Sequence, residues 1–331
     1  MAEYIGIKGS NVPSLSSDPS NPIEGQVWYN TTSAVLKGYA SIPAGAWSAG
    51  GNLTTPKQYS GAAGTQTAGL SFGGSPSPYK VITQTYNGTS WTEVNDLSTG
   101  RQSFQSWGTQ TSAVAADGYA DPGRTNATEI YDGTSWTTSP ATANTSRSGG
   151  AGWGTSSSAG GMGGGDNSGY KDETELFNGT AWTEVGDLNV AGQYLMSSAS
   201  GSPSATLIFG GERPSVADWV NLTESWDGTS WTEVNNLNTA VTLAGGAGTQ
   251  TAAMCAAGYV GPPAAPSGKT ETFDGTSWTE NADATTARYA VQGTGATNAA
   301  AMIMGGTPPV SDATEEWSSP SGNETVTFTD S

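Results

Sequence analysis

Tyr131-Asp132-Gly133-Thr134-Ser135-Trp136 belongs to a phrase that recurs along the chain. The other copies are Tyr86-Asn87-Gly88-Thr89-Ser90-Trp91, Phe177-Asn178-Gly179-Thr180-Ala181-Trp182, Trp226-Asp227-Gly228-Thr229-Ser230-Trp231 and Phe273-Asp274-Gly275-Thr276-Ser277-Trp278. With Trp47 included, the closing tryptophans stand 44, 45, 46, 49 and 47 residues apart. Helical and β repeats share periods of about 40–50 residues, so the local pattern decides between them. It decides for strands. Asx-Gly between aromatic and β-branched residues is a strong hairpin signal, and a tight type I′ turn is expected, with positive φ at both central positions. Alternating runs flank it, such as Thr128-Glu129-Ile130-Tyr131 before and Ser230-Trp231-Thr232-Glu233-Val234 after.

Two further segments complete each unit. One is Gly61-Ala62-Ala63-Gly64-Thr65-Gln66, echoed by Gly246-Ala247-Gly248-Thr249-Gln250. The other is Ala68-Gly69-Leu70-Ser71-Phe72-Gly73-Gly74, echoed at Ala205-Thr206-Leu207-Ile208-Phe209-Gly210-Gly211 and Ala301-Met302-Ile303-Met304-Gly305-Gly306. Their small residues suit strands crowded round a narrow axis. Four strands per unit, a to d from the axis outward, predict an all-β protein with units starting near Tyr59, Phe104, Ser148, Tyr194, Leu243 and Tyr289. The last unit lacks the Gly-Thr-Ser-Trp phrase after Trp317, while Trp47 precedes the first unit. Ala46-Trp47-Ser48 is therefore expected to supply the outer strand of the sixth blade and close the ring, which removes exposed sheet edges. The alternating tail Glu324-Thr325-Val326-Thr327-Phe328-Thr329 competes for that role or adds beside it.

A Gly-Gly doublet ending one strand, an aromatic ending the next and a Trp opening the fourth resemble the Kelch β-propeller repeat. The resemblance covers residues 46–331 and implies a six-bladed propeller of four-stranded blades. Residues 1–45 differ, and Asn21-Pro22-Ile23-Glu24-Gly25-Gln26-Val27-Trp28-Tyr29-Asn30 reads as the start of a hairpin. That phrase resembles segments of tail-fibre and other virion proteins of tailed phages. Kelch-like repeats rich in Gly and Thr after such a segment resemble structural proteins of marine, cyanophage-like phages. The resemblance implies an N-terminal virion-attachment segment with Gln26, Trp28 and Tyr29 as contact candidates. It also implies a virion location, other virion proteins as partners and multiple copies per particle.

Composition narrows the chemistry. The 331 residues hold 29 acids against 11 bases, no histidine and one cysteine, for a formal charge of -18. Histidine-based triads and His-ligated metals are excluded, as is a disulfide scaffold. The negative charge argues against nucleic acid as a partner. No stretch approaches the roughly 20 apolar residues that span a bilayer. Met1-Ala2-Glu3-Tyr4-Ile5-Gly6 carries no secretory signal, so synthesis in a host cytoplasm is expected.

Individual residues read mostly as structure. Asp132, Asp227 and Asp274 alternate with Asn87 and Asn178 at the turn, which fits local capping rather than catalysis. Glu93, Glu184 and Glu233 read as solvated outer-strand residues, and Cys255 as a buried small hydrophobe. Asp166-Asn167-Ser168-Gly169-Tyr170-Lys171-Asp172 lacks the spacing and final Glu of an EF-hand, so no metal or cofactor is assigned. Trp107 and Trp153 stand where other units carry Ala or Gly, and are expected to plug one end of the central channel.

The informative segments join strands b and c, because they vary while the strands repeat. They contribute Tyr79, Lys80, Tyr119, Arg124, Tyr170, Lys171, Arg213, Trp219, Tyr259 and Lys269 as binding candidates. In a propeller the b–c and d–a connections share one face. The bases Lys57, Arg101, Arg147 and Arg288 fall in the d–a connections, so an acidic chain places its propeller bases on that side. Local pairing, such as Arg101 with Asp96, accounts for the d–a bases better than for the b–c set. Aromatic-bearing loops on a rigid scaffold suit recognition. The expected function is non-enzymatic display towards a host-surface polysaccharide, an anionic glycan in particular, or an acidic virion neighbour. A carbohydrate-active enzyme using carboxylates and a purely architectural virion subunit are the alternatives.

Overall fold

The computed structural model describes residues 12–20, 26–40, 45–166, 169–213, 219–319 and 324–328. Parts of the expected attachment segment and of two b–c loops lie outside the described residues. The chain divides into two compact units, 46–319 and a terminal unit built from 1–45 and 320–331.

Among its described residues the larger unit is all-β, and its four-stranded antiparallel sheets are consistent with a β-propeller. Strands a to d of sheet one are Gly61–Thr65, Ala68–Phe72, Thr83–Tyr86 and Trp91–Val94. Sheet two has Gln105–Thr109, Ser112–Ala116, Thr128–Tyr131 and Trp136–Thr138. Sheet three has Ala151–Ser156, Ala159–Gly163, Thr174–Phe177 and Trp182–Glu184. Sheet four has Met196–Ser197, Thr206–Phe209, Thr223–Trp226 and Trp231–Glu233. Sheet five has Gly245–Thr249, Ala252–Val260, Ala265–Phe273 and Trp278–Glu280. Sheet six has Gln292–Thr297, Ala300–Met304 and Thr314–Ser318, and its fourth member is Ala46–Ala49, with Trp47 opposite Trp317.

Neighbouring sheets interlock through the same atoms at five of the six junctions, while at the sixth Trp278 Nε1 and Thr223 Oγ1 have no hydrogen-bond partner among the described residues. The indole Nε1 of a d-strand Trp donates to the first Thr of the preceding sheet's c strand. Trp136 donates to Thr83 at 2.9 Å, Trp182 to Thr128 at 3.0 Å and Trp231 to Thr174 at 2.9 Å. Trp47 donates to Thr270 at 3.0 Å and Trp91 to Thr314 at 2.9 Å. An aromatic ring so placed buries a large apolar area and keeps its one polar atom satisfied. Trp107 and Trp153 do not plug a channel. Trp107 packs edge-on against Trp182, and Trp153 against Trp231, between sheets. The alternation of strand a aims these rings sideways, where Gly160 leaves room for the Trp107 indole.

The hairpin between strands c and d is wider than a type I′ turn. Tyr131 pairs with Trp136, so Asp132-Gly133-Thr134-Ser135 forms a four-residue loop. Gly133 alone has positive φ there, at 93°. Asp132 Oδ1 instead accepts the N–H groups of Thr134 and Ser135, both at 2.8 Å. Asp227 and Asp274 repeat this cap, and the donated N–H groups hold all three carboxyls below the usual range.

The terminal unit is a sheet ordered Ser14–Leu15, Val27–Asn30, Val35–Ala40 and Glu324–Phe328. The C-terminal strand thus pairs antiparallel with Val35–Ala40 rather than with sheet six, and the expected span 46–331 ends earlier than predicted. Sheet six has its outer position filled by Ala46–Ala49, while Val35–Ala40 presents a free side to the tail.

Candidate functional site

Each d–a connection bridges to the b–c loop of the sheet that follows it, which brings both sets of connections together. The pairs are Gln58 with Ser75, Gln102 with Tyr119, Ser148 with Asp166, Gln193 with Glu212, Thr242 with Tyr259 and Tyr289 with Thr307. One residue in each d–a connection has positive φ: Tyr59, Ser103, Gly149, Tyr194, Leu243 and Ala290. Their backbones bond to one another. Ser103 N donates to Tyr59 O at 3.0 Å, Gly149 N to Ser103 O at 2.7 Å, Ala290 N to Leu243 O at 2.8 Å and Tyr59 N to Ala290 O at 3.1 Å. These residues rim a cavity of about 90 Å³ that Phe104, Leu195 and Val291 also line. Burial pushes the Tyr59 phenol up to about 12, with Tyr194, Tyr289 and Glu212 adding to the shift. The rim is narrow and its phenols stay neutral.

Beneath the rim lie buried ion pairs that the sequence did not disclose. Arg101 Nη2 meets Glu129 Oε1 at 2.7 Å, rather than Asp96. Arg288 Nη2 meets Glu315 Oε1 at 3.0 Å, and Arg147 meets Glu175. In each case the acid is the second residue of the c strand, and the Arg stands two residues before the positive-φ position. Sheet four has Gly192 at that position, and Arg213 from the b–c loop fills the space instead. Its Nη1 bonds Val190 O and lies 3.3 Å from Glu224 Oε1. Arg213 is 3 % exposed and is therefore no surface contact, contrary to the sequence-based expectation. The repeated Thr-Glu-x-aromatic phrase, with a base at a fixed place in the d–a connection, is the signal that would have revealed these pairs.

Two positions break the pattern. Asp117 occupies the first place of the Gly-Gly doublet, at φ 59°, fully buried and 3.6 Å from Arg147. Burial holds its carboxyl well above the ordinary range, against the pull of Arg147. In sheet one, Lys57 and Gln84 stand where sheets two, three and six have Arg and Glu. Gln84 Oε1 accepts Thr54 N at 2.9 Å, as Glu315 accepts Thr285 N at 2.6 Å. Lys57 is fully buried, and its Nζ has no hydrogen-bond partner among the described residues.

Burial lowers the Lys57 amine from 10.5 to about 7, with Asp96 and Glu93 opposing the shift weakly. Between those pH values the unfolded chain binds more protons than the folded one, so stability rises with pH. Below about pH 7 the folded state carries the full cost of a buried ammonium. Lys57→Met is expected to gain about 1–4 kcal/mol at pH 6. That gain should fade between pH 7 and 10.5, as read by denaturant titrations across the range.

The loop candidates form two groups. Tyr79 meets Tyr119 edge to face, with centroids 5.9 Å apart, and Arg124 lies 5.9 Å from the Tyr119 ring. Trp219 meets Tyr259 at 5.2 Å, and Tyr259 meets Tyr289 at 4.8 Å. Tyr170 stands apart from both, its hydroxyl 3.4 Å from Glu212 Oε2, which also accepts Gln193 Nε2 at 2.7 Å. Burial and the nearby Glu212 carboxylate raise the Tyr170 phenol. Three loop bases already face acids: Arg124 bonds Asp166, Lys171 lies 3.3 Å from Glu173, and Lys269 3.3 Å from Glu280. Lys80 is half-buried beside Tyr79.

In the terminal sheet the contact candidates separate. Trp28 is fully buried, and its Nε1 donates to Asp18 Oδ1 at 3.0 Å, so its ring is a core residue rather than a docking group. Tyr29 is exposed and Gln26 half-buried. Asp18 also accepts from Asn30 and Lys37, which hold its carboxyl down at about 2. Cys255 is buried in sheet five, and burial pushes its thiol well up. Among the described residues, no group of three or more acids and cysteines is placed to hold a metal. No protein-family model matches the chain, and no curated protein matches it in sequence.

Proposed function

We propose that residues 46–319 form a closed, six-bladed, Kelch-like propeller that displays one loop face as a recognition surface on a phage particle. Closure is supported by Trp47 repeating in sheet six the Trp-to-Thr bond of sheets one to four, and by Tyr59 N reaching Ala290 O. Thr294 Oγ1 also donates to Gly64 O at 2.7 Å, joining sheets six and one. The observation that carries the recognition reading is the grouping of aromatic side chains on the b–c loops. They interact with one another across neighbouring sheets, while the buried pairs below keep the scaffold constant. The terminal sheet, through exposed Tyr29 and half-buried Gln26, serves as the attachment element towards other virion proteins. Several copies on one particle convert a weak contact into avidity. Catalysis plays no part in this reading.

Replacing Tyr79, Lys80, Tyr119, Arg124, Tyr170 and Lys171 together with Ser tests it. All six are at least partly exposed. Particles carrying this variant should adsorb to host cells, or assemble, at least tenfold less well, while its melting temperature stays near that of the parent. Unchanged adsorption and assembly would refute the loop-face reading.

A further inference from the structure

A groove of about 490 Å³ runs between the b–c loops of sheets one and two, lined by Ser77, Pro78, Tyr79, Thr99, Tyr119 and Asp121 among others. Its size falls within the range of small-molecule sites, about 300–1,000 Å³. The two tyrosine rings stand at 88° to each other. Their positions are fixed from behind. Asp166 and Ser148 hold Arg124, Arg124 lies against Tyr119, and Tyr119 meets Tyr79. Gly100 permits the close approach of the two connections, since a Cβ there would sit 2.2 Å from Tyr79 O. A rigid aromatic wall loses little conformational freedom when a ligand settles on it.

The charge of the groove selects the ligand. Apart from the two phenols, Asp121 is the ionisable side chain in the wall, and it is exposed. Arg124 is engaged with Asp166. Lys80 adjoins Tyr79 in the chain but does not line the groove, so an anionic glycan would meet the Asp121 carboxylate with no base in the wall. A neutral polyol fares better, because its hydroxyls donate to Asp121 and bond with the Ser77, Ser98 and Thr99 hydroxyls. The apolar C–H face of a sugar ring matches the face of a tyrosine.

We infer that this groove is a subsite for a neutral pyranose, stacked on Tyr79 or Tyr119 and hydrogen-bonded to Asp121. The inference rests on reading this face as a recognition surface, and it replaces the anionic glycan expected from the sequence with an uncharged one.

The full chain should be titrated with methyl glycosides of glucose, galactose, mannose and N-acetylglucosamine, with galacturonate as the anionic counterpart. Binding is followed by saturation-transfer NMR. At least one neutral glycoside should bind, and its Kd should rise more than tenfold in Tyr79→Ala and in Tyr119→Ala. Galacturonate should bind at least tenfold more weakly than methyl galactoside, and Asp121→Asn, an exposed substitution that spares the aromatic wall, should narrow that gap to within threefold. Absence of binding by every neutral glycoside overturns the proposal. So does binding that survives both tyrosine substitutions, or galacturonate binding as tightly as the galactoside. If no glycoside binds but the six-residue loop variant loses adsorption, the subsite fails and the display reading stands. If a glycoside binds but that variant adsorbs normally, the display reading fails and the subsite stands.

Discussion

A chain lacking residues 1–50 is expected to show the main melting transition about 10 °C or more below the full chain, whereas one lacking residues 1–20 loses Ser14–Leu15 and Asp18 from the terminal sheet but leaves the transition of 46–319 in place. The longer deletion removes Ala46–Ala49 and leaves Thr314–Ser318 as an unpaired edge. It also removes Trp47, whose ring lies 5.5 Å from that of Trp317 and whose Nε1 holds Thr270 in sheet five. Loss of a core Trp costs about 3–5 kcal/mol, and the partly buried Trp47 is expected at the lower end of that range. Each kcal/mol lowers the melting temperature of a unit this size by about 2–4 °C. Trp47→Ala in the full chain separates the effect on the larger unit from that on the terminal sheet, since it leaves Val27–Asn30 and Val35–Ala40 untouched. If the longer deletion and Trp47→Ala both melt like the parent, Ala46–Ala49 does not close the propeller.

The second large effect concerns the buried pair Arg288–Glu315. Arg288→Met is expected to destabilise the protein by about 3–5 kcal/mol, because it leaves a buried carboxylate without its counter-charge. Glu315 would keep the bond from Thr285 N but lose its ionic partner. Sheet five shows what an acid there otherwise requires. Val241 replaces the Arg, and Glu271 takes bonds from Asn238 N, Asn238 Nδ2 and Thr239 N. Thr285 has no amide to offer in that way. Adding Glu315→Gln to Arg288→Met should restore most of the loss, since Gln84 already accepts Thr54 N in the equivalent place. Chemical denaturation of the two single variants and the double gives the coupling directly. Additive losses would mean that the two side chains are satisfied independently.

Much of the architecture was legible because it repeats. The phrase ending at Trp91, Trp136, Trp182, Trp231 and Trp278 marks a hairpin in every copy, and orphan Trp47 pointed to the strand opposite Trp317. The type of turn was misjudged, because Asp132 caps N–H groups through its side chain, which backbone rules for two-residue turns do not anticipate. The sidewise aim of Trp107 and Trp153 was hidden, since composition does not reveal which face of strand a points towards a neighbour. The candidate loop residues were identifiable by their variation. Their burial was not. Arg213 looks like a loop base until the absence of a side chain at Gly192 is set beside it, and that substitution acts across 21 residues. The partner of each d–a arginine lies on a c strand 27 or 28 residues further on, reachable only once the sheet is folded.

The pairing of Val35–Ala40 with Glu324–Phe328 gives the chain the topology of a clasp, with 46–319 inserted between its two arms. Such a clasp acts on the denatured ensemble as a non-covalent cross-link would. While it holds, an unfolded insert is a closed loop with less conformational freedom than an open chain, and the advantage grows slowly with loop length. It also changes the outcome of a single backbone cut. A nick in a loop of the larger unit would leave fragments joined through the clasp, so proteolysis would yield a nicked but associated protein before it yielded separated pieces.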